Sequence, residues 1–397
     1  MAAIALVMPA ALVGVYYDDG IYLALARSLA EGHGYHLQYL PGAPAAVHYP
    51  FGYPLFLAFL WGLWPSFPAN VALLRGANAV LMGLFAALAV AYLTPRLRVN
   101  RWISAAAVLA SCTAIPLVAL ATVLFAEPLF LVLTAAGLWT ADAALTHAGD
   151  TDRRRAFRLA IAAGVLAGAA AMTRSIGVAV IAAVTIPPLR GRHWRLAVAA
   201  GVPALLLLLP WVVWTSVHHG DLDPLLVSGY GTYGDFLKQG GASWLSLASL
   251  GEIARPLAAI GLPPGPTVLR VILGLAALVV LVAGMVTLTA RAPALGWMLG
   301  IYTLIVALWP YGPDRFLWGV LPWLAAAFVA GAQRLAGRPA GASYARAGAA
   351  TAAIASSAVL LGFTMFQVRA GPRGATSAQV AISATMNDIL PWIRQAT

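Results

Sequence analysis

Residues 16–22, Tyr16-Tyr17-Asp18-Asp19-Gly20-Ile21-Tyr22, set two adjacent carboxylates at the mouth of an apolar segment. Acids placed there are costly beside lipid and are usually kept for a task. They open a polar stretch that runs through Arg27, Glu31, His33 and His36. It closes on His48-Tyr49-Pro50-Phe51-Gly52-Tyr53-Pro54, and greasy sequence flanks it on both sides. An acid pair just beyond a span also serves solvation and orientation, so the rest of the chain decides its meaning.

That remainder is overwhelmingly apolar. Of 397 residues, 61% are hydrophobic and only 9% charged, with a mean hydropathy of +0.85; soluble domains carry about 25% charged residues. This is the composition of a polytopic membrane protein, one helical unit with loops. The single cysteine, Cys112, lies within an apolar run, which leaves no disulfide framework and no cysteine metal site.

Apolar runs fall at 71–93, 102–120, 124–146, 158–173, 175–189, 196–215, 268–290, 294–309, 312–333 and 346–366. With a short first span over 1–16, they predict an all-α integral membrane bundle of about 11 transmembrane helices, each needing roughly 20 residues to cross. Pro54–Trp64 is too short to span and is expected to lie in the interface or to dip in and return, with Trp61 and Trp64 at headgroup depth. The bundle then covers 1–366, with interfacial helices in a first outer loop over 17–70 and a second outer loop over 216–267. Residues 367–397 form an outer C-terminal tail.

Orientation follows from arginine in the loops. With the N-terminus inside, the inner loops hold Arg96, Arg98, Arg101, Arg153, Arg154, Arg155, Arg158, Arg190, Arg192, Arg195, Arg291, Arg334, Arg338 and Arg346, against Asp142, Asp150 and Asp152. The net charge of +11 is therefore accounted for by orientation and requires no nucleic acid. On this topology Asp18, Asp19, His48, Glu127, Arg174, Asp314 and Arg315 all collect at the outer face.

Each of these residues has a plain use beside a functional one. Glu127, before Pro128, is the acid that a helix start favours, or a member of a site. Arg174, in Met172-Thr173-Arg174-Ser175, can snorkel or pair with Asp19 or Glu127, or clamp a phosphate. Tyr311-Gly312-Pro313-Asp314-Arg315-Phe316 reads as a solvated turn or as a positioned loop. Asp18 and Asp19 could hold a divalent cation, although nothing at ligand spacing requires one. His218-His219 with Asp221 and Asp223 fits a wet loop better than a cation site. The run Ser228-Gly229-Tyr230-Gly231-Thr232-Tyr233-Gly234-Asp235 suits a flap over a sugar or lipid head, and equally a plain flexible loop. No Walker or dinucleotide phosphate loop is present.

Three features recur together: Asp-Asp-x-x-Tyr-x-x-x-Ala-Arg-x-Leu-x-x-Gly from Asp18, Tyr-Pro-Phe-Gly-Tyr-Pro-Leu-Phe-Leu-Ala from Tyr49, and in order Ala-Glu-Pro-Leu-Phe, Thr-Arg-Ser-Ile-Gly and Gly-Pro-Asp-Arg-Phe. The series resembles the glycosyltransferase C superfamily, especially bacterial relatives of protein O-mannosyltransferases and lipid A aminoarabinose transferases, over about residues 16–335. The resemblance implies an integral enzyme of the cytoplasmic membrane that takes a sugar from a polyprenyl-phosphate carrier. The sugar passes to an acceptor (protein, lipid or glycan) on the outer face, with inversion. Asp18 matches the catalytic base and Asp19 the second acid. Tyr22, His48, Tyr53, Glu127, Arg174, Asp314 and Arg315 become candidates for substrate contact. One departure is Tyr49, which stands where aminoarabinose transferases place a lysine, so Arg174, Arg315 or His48 would have to meet the phosphate. A soluble outer domain common in relatives is expected to be absent or cut off. The competing class is a transporter or flippase of a lipid-linked sugar, for which internal repeats and midplane polar groups would be expected; none is visible.

Overall fold

The computed structural model describes residues 13–14, 17–148, 152–224, 226–240, 267–309 and 314–337. The expected first span over 1–16 lies almost wholly outside these residues, and the span over 346–366 and the tail over 367–397 lie wholly outside them. Among the described residues the chain is helical, with one isolated bridge between His36 and Ala45.

The polar stretch folds into α1 (Asp18–Ala30), an irregular loop, and α2 (Gly52–Leu63). As expected, α2 is too short to span. It turns Tyr53, Leu57 and Trp61 inward and leaves Leu55, Phe59 and Leu63 exposed, an apolar face suited to lipid.

Then come α3 (Val71–Leu97), α4 (Arg101–Cys112), α5 (Ile115–Thr122), α6 (Glu127–His147), α7 (Arg153–Thr173), α8 (Val178–Arg190) and α9 (Trp194–His218). Of these, α3, α6, α7 and α9 are long and apolar enough to cross a membrane unaided. The expected straight span over 102–120 is instead the pair α4–α5, bent by 68°. Pro116 explains the break, because it has no N–H to give and its ring collides with the preceding turn. Thr113 Oγ1 caps the end of α4 by donating to the Leu109 carbonyl at 2.7 Å.

Beyond α9, short α10 (Val227–Tyr230) and α11 (Tyr233–Gly240) lead towards α12 (Thr267–Arg291) and α13 (Pro293–Ala307). The expected span over 312–333 is broken too. It starts as α14 (Asp314–Gly319), turns at Val320, and resumes as α15 (Leu321–Ala336). Most of the expected loop over 216–267, including 241–266, falls outside the described residues.

Small residues let the spans approach closely, the main device available where lipid removes the hydrophobic drive. α7 lies between α6 and α9, and a Cβ on Gly164 would overlap the Ala200 carbonyl of α9.

One buried polar junction locks the end of the bundle away from Asp18. Asp142 of α6 accepts from Tyr92 Oη at 2.7 Å, from Arg96 Nε at 3.2 Å and from the Ala294 amide at 3.0 Å, joining α3, α6 and α13. Read from sequence as an inner-face charge, it is in fact 5% exposed. Asp142→Ala would strand a buried guanidinium and two donors, at a cost of about 3–5 kcal/mol. Thermal unfolding in detergent should show the loss, while activity per folded molecule stays at the parent level.

Candidate functional site

The other end of the bundle holds a cavity of about 470 Å³, lined in part by Asp18, Tyr22, His48, Arg174, Tyr233 and Arg315. Five of these six were singled out from sequence: Asp18 and Tyr22 come from α1, His48 from the loop after it, Arg174 from the link after α7 and Arg315 from α14.

Asp18 is the first residue of α1, where a carboxylate meets the positive end of the helix dipole. The preceding Tyr17 holds φ 65° and ψ −67°, a conformation costly for a residue with a Cβ. Tyr17 packs its ring 5.9 Å from Tyr230. Asp18 and Tyr22, four residues apart, share a helix face and both reach the cavity. Asp19, one residue on, is turned about a quarter of a circle away. Its Oδ2 accepts from the Gly14 amide at 2.8 Å, and it is 1% exposed. The expected acid pair therefore divides into one cavity-facing carboxylate and one that anchors backbone.

A chain of alternating charge runs inward from Asp18. Arg315 of α14 donates Nη1 to Asp18 and, at 3.0 Å, Nε to Glu127. Arg174, in the extended link after α7, pairs with the same Glu127 oxygen. Side-chain exposure is 17% at Asp18 and 31% at Arg315, against 0% at Glu127 and 11% at Arg174. A ligand thus reaches Asp18 and Arg315 first, while Glu127 lies beneath and holds both guanidinium groups. The helix-start and site readings of Glu127 hold together, since it is the first residue of α6.

Tyr49 supplies the third partner of Asp18. Its hydroxyl donates to Asp18 Oδ1 at 2.5 Å, and its ring lies 4.9 Å edge-on to Tyr22. Burial and the neighbouring Asp18 charge push its pKa well up, so the phenol stays protonated as a donor. The position that departs from the aminoarabinose transferase pattern is therefore part of the site.

Aromatic groups line the cavity beside these charges. His48 stacks on Tyr233 with ring centres 4.9 Å apart, Tyr233 lies 5.5 Å from Trp309, and Trp309 lies 5.8 Å from Phe316. His48 Nδ1 donates to the Gly231 carbonyl at 2.8 Å, tying the glycine–tyrosine run to the site. Burial lowers the His48 pKa below 6.5, with the Gly231 bond and the Asp18 charge opposing this. Asp18, Tyr49 and Tyr233 are the groups that face it. An undocked His48 binds protons more readily, so docking of 227–240 is fully supported above pH 6.5 and weakens as pH falls below it. Limited proteolysis between pH 7.5 and 5.5 should show cleavage in this segment rising towards acid, with a flatter profile in His48→Asn.

Two further candidates are placed differently. Tyr53 is fully buried, does not line the cavity, and exchanges hydrogen bonds with Asn78. The side chain of Asp314 lies outside the described residues. Asn78 was not singled out from sequence, where it is one polar residue in an apolar span. Its Nδ2 donates to the Val123 and Phe125 carbonyls at 3.0 and 3.1 Å and so fixes the link that delivers Glu127.

Gly52 explains its own place in the second motif. A Cβ there would come within 2.5 Å of the Met172 carbonyl, just before Arg174. Gly52→Val should cost about 1–3 kcal/mol through overpacking and should displace Arg174. Melting temperature and donor affinity, measured together, check both effects.

Asp18 and Asp19 do not converge on one point. One faces a guanidinium and a phenol, the other a backbone amide, and among the described residues no group of three His, Cys, Asp or Glu side chains could complete a shell.

The described helices form an apolar, membrane-protein-like bundle with a charged cavity at one end, and this fold is like that of a solved membrane protein. The crystal structure of ArnT from Cupriavidus metallidurans bound to undecaprenyl phosphate matches with a TM-score of 0.51 at 17% identity, over 91% of this chain and 69% of that one. The apo structure of the same protein matches with a TM-score of 0.45 at 18% identity, over 92% and 69%. No protein-family model matches the chain, and no curated protein matches it by sequence.

Proposed function

We propose that the protein is a membrane glycosyltransferase that moves a sugar from a polyprenyl-phosphate carrier to an acceptor at the outer face of the cytoplasmic membrane, with inversion. The observation that carries this reading is the charge chain Asp18–Arg315–Glu127–Arg174 on a cavity walled by aromatic rings.

Each part has a chemical use. A hydroxyl acceptor is a poor nucleophile, and a carboxylate in hydrogen-bond reach assists by taking its proton as the new bond forms. Asp18 is the most accessible acid of the chain and serves as that base. Tyr49 orients it through one oxygen. The acceptor oxygen attacks the anomeric carbon opposite the phosphate, the carbon–oxygen bond to phosphate breaks, and the electron pair stays on the phosphate. Arg315 and Arg174, fixed beforehand on Glu127, meet that charge. As the phosphate draws Arg315, Asp18 is released to accept the proton. The rings of Tyr233, Trp309 and Phe316 offer apolar faces to the sugar. Inversion requires one carboxylate on the acceptor side and no covalent nucleophile, and Asp19, turned to the Gly14 amide, leaves Asp18 alone.

The reading of a flippase is less supported, because the described charged groups lie towards the two ends of the bundle and not near its middle. The test is incubation of purified protein with a panel of radiolabelled polyprenyl-phosphate sugars. Loss of label from at least one lipid, by transfer to an acceptor or to water, is expected. An intact panel, with label instead crossing the bilayer in vesicles, would replace the enzyme reading by transport.

A further inference from the structure

Arginines that served only as an orientation signal in the sequence converge on a second cavity, of about 640 Å³. Its wall holds Arg153, Arg154 and Arg158 from the start of α7, and Arg192 and Arg195 from the turn into α9. No carboxylate is among its described lining residues, and among the described residues none of the five arginines makes an ion pair.

The cavity sits where α7 and α9 both begin. The Asp152 carboxylate caps α7 by accepting from the Arg155 amide at 3.0 Å, whereas the His193 side chain caps none of the α9 amides, so the positive end of α9 is the one left to an anion. In addition, α7 has 21 residues and ends beside Arg174, which puts this cavity about 30 Å from the first, one hydrocarbon thickness away.

Its flanks are those of a headgroup site. Phe157 and Trp194 line it and are 46% and 60% exposed, at the depth where aromatic rings meet the interface, and the Arg195 guanidinium lies 5.4 Å from the Trp194 ring. Clustered arginines at a span end recognise phosphate-bearing lipid heads, and guanidinium forks match a phosphodiester. We propose that this cavity binds the phosphate headgroup of an anionic membrane lipid, a site separate from the transfer site and independent of its chemistry.

The test uses the full chain in detergent, titrated by native mass spectrometry with phosphatidylglycerol, cardiolipin, phosphatidylcholine and inorganic phosphate. The expected result is retention of the anionic lipids over phosphatidylcholine. Arg158→Gln with Arg195→Gln should weaken it by about tenfold or more, given the contribution of each basic residue near a lipid surface. Arg158→Lys with Arg195→Lys should keep most of the binding, and gel filtration verifies folding for each variant. Arg98→Gln with Arg101→Gln, at the same end outside this cavity, serves as control and should change little. Equal loss in both glutamine pairs, no preference for anionic lipid, or phosphate displacing lipid at millimolar concentration would each overturn the proposal; the last would assign a soluble anion.

Discussion

Asp18→Asn is expected to lower the transfer rate by about 10²–10⁴-fold, the usual contribution of a positioned general base. The amide keeps the size of the carboxylate and can still accept from Tyr49, so the fold should survive; what disappears is proton affinity. Donor affinity should change far less than turnover, because the arginines that meet the phosphate remain on Glu127. Asp19→Asn is the informative partner. Its side chain holds the Gly14 amide away from the cavity, so it should lower stability more than turnover. Turnover and melting temperature measured on both variants separate the roles, and equal turnover loss in the two would remove the distinction drawn between them.

The second large effect is on folding. Glu127 is 0% exposed and is the shared counter-charge of Arg174 and Arg315. Glu127→Gln leaves two guanidinium groups facing each other in a buried space with no carboxylate between them, Asp18 pairing with Arg315 alone. Breaking a buried pair by removing one partner costs about 3–5 kcal/mol, enough to threaten a membrane protein of ordinary stability. The variant should melt markedly lower, and any folded fraction should bind donor poorly because both arginines lose their fixed positions. A second substitution that removes one excess charge, Arg174→Gln, should restore part of the stability without restoring turnover. Stability unchanged in Glu127→Gln would mean that the chain does not hold the site together.

Much of this arrangement was legible in the sequence because membranes impose sidedness. Once spans were counted and arginine assigned to one face, Asp18, His48, Glu127, Arg174 and Arg315 fell at the other, and the structure brings those five together. What stayed hidden depends on rotation and on long-range contact. Asp18 and Asp19 look equivalent as neighbours, yet a helix turns about 100° per residue, so only one can face the cavity; the four-residue spacing of Asp18 and Tyr22 already carried that signal. Tyr53 shares a motif with Tyr49 but points into the core, where Asn78 meets it. Asn78 and Asp142 carry no local sign of their partners, which lie 25 or more residues away in sequence. The bend between α4 and α5 had its signal in Pro116, overlooked because the apolar run continues through it.

The inner arginines show the converse limit. Counting charge per loop predicts which side of a membrane a loop occupies, but says nothing of whether two loops share a cavity. Only the fold shows that 153–158 and 192–195 do.

The most direct test of the account is proton NMR of the product formed from a polyprenyl-phosphate sugar of known anomeric configuration. A single general base acting at Asp18 predicts a product of opposite configuration, formed far more slowly when Asp18 is asparagine. A product of retained configuration, or one formed equally well without the Asp18 carboxylate, would contradict it.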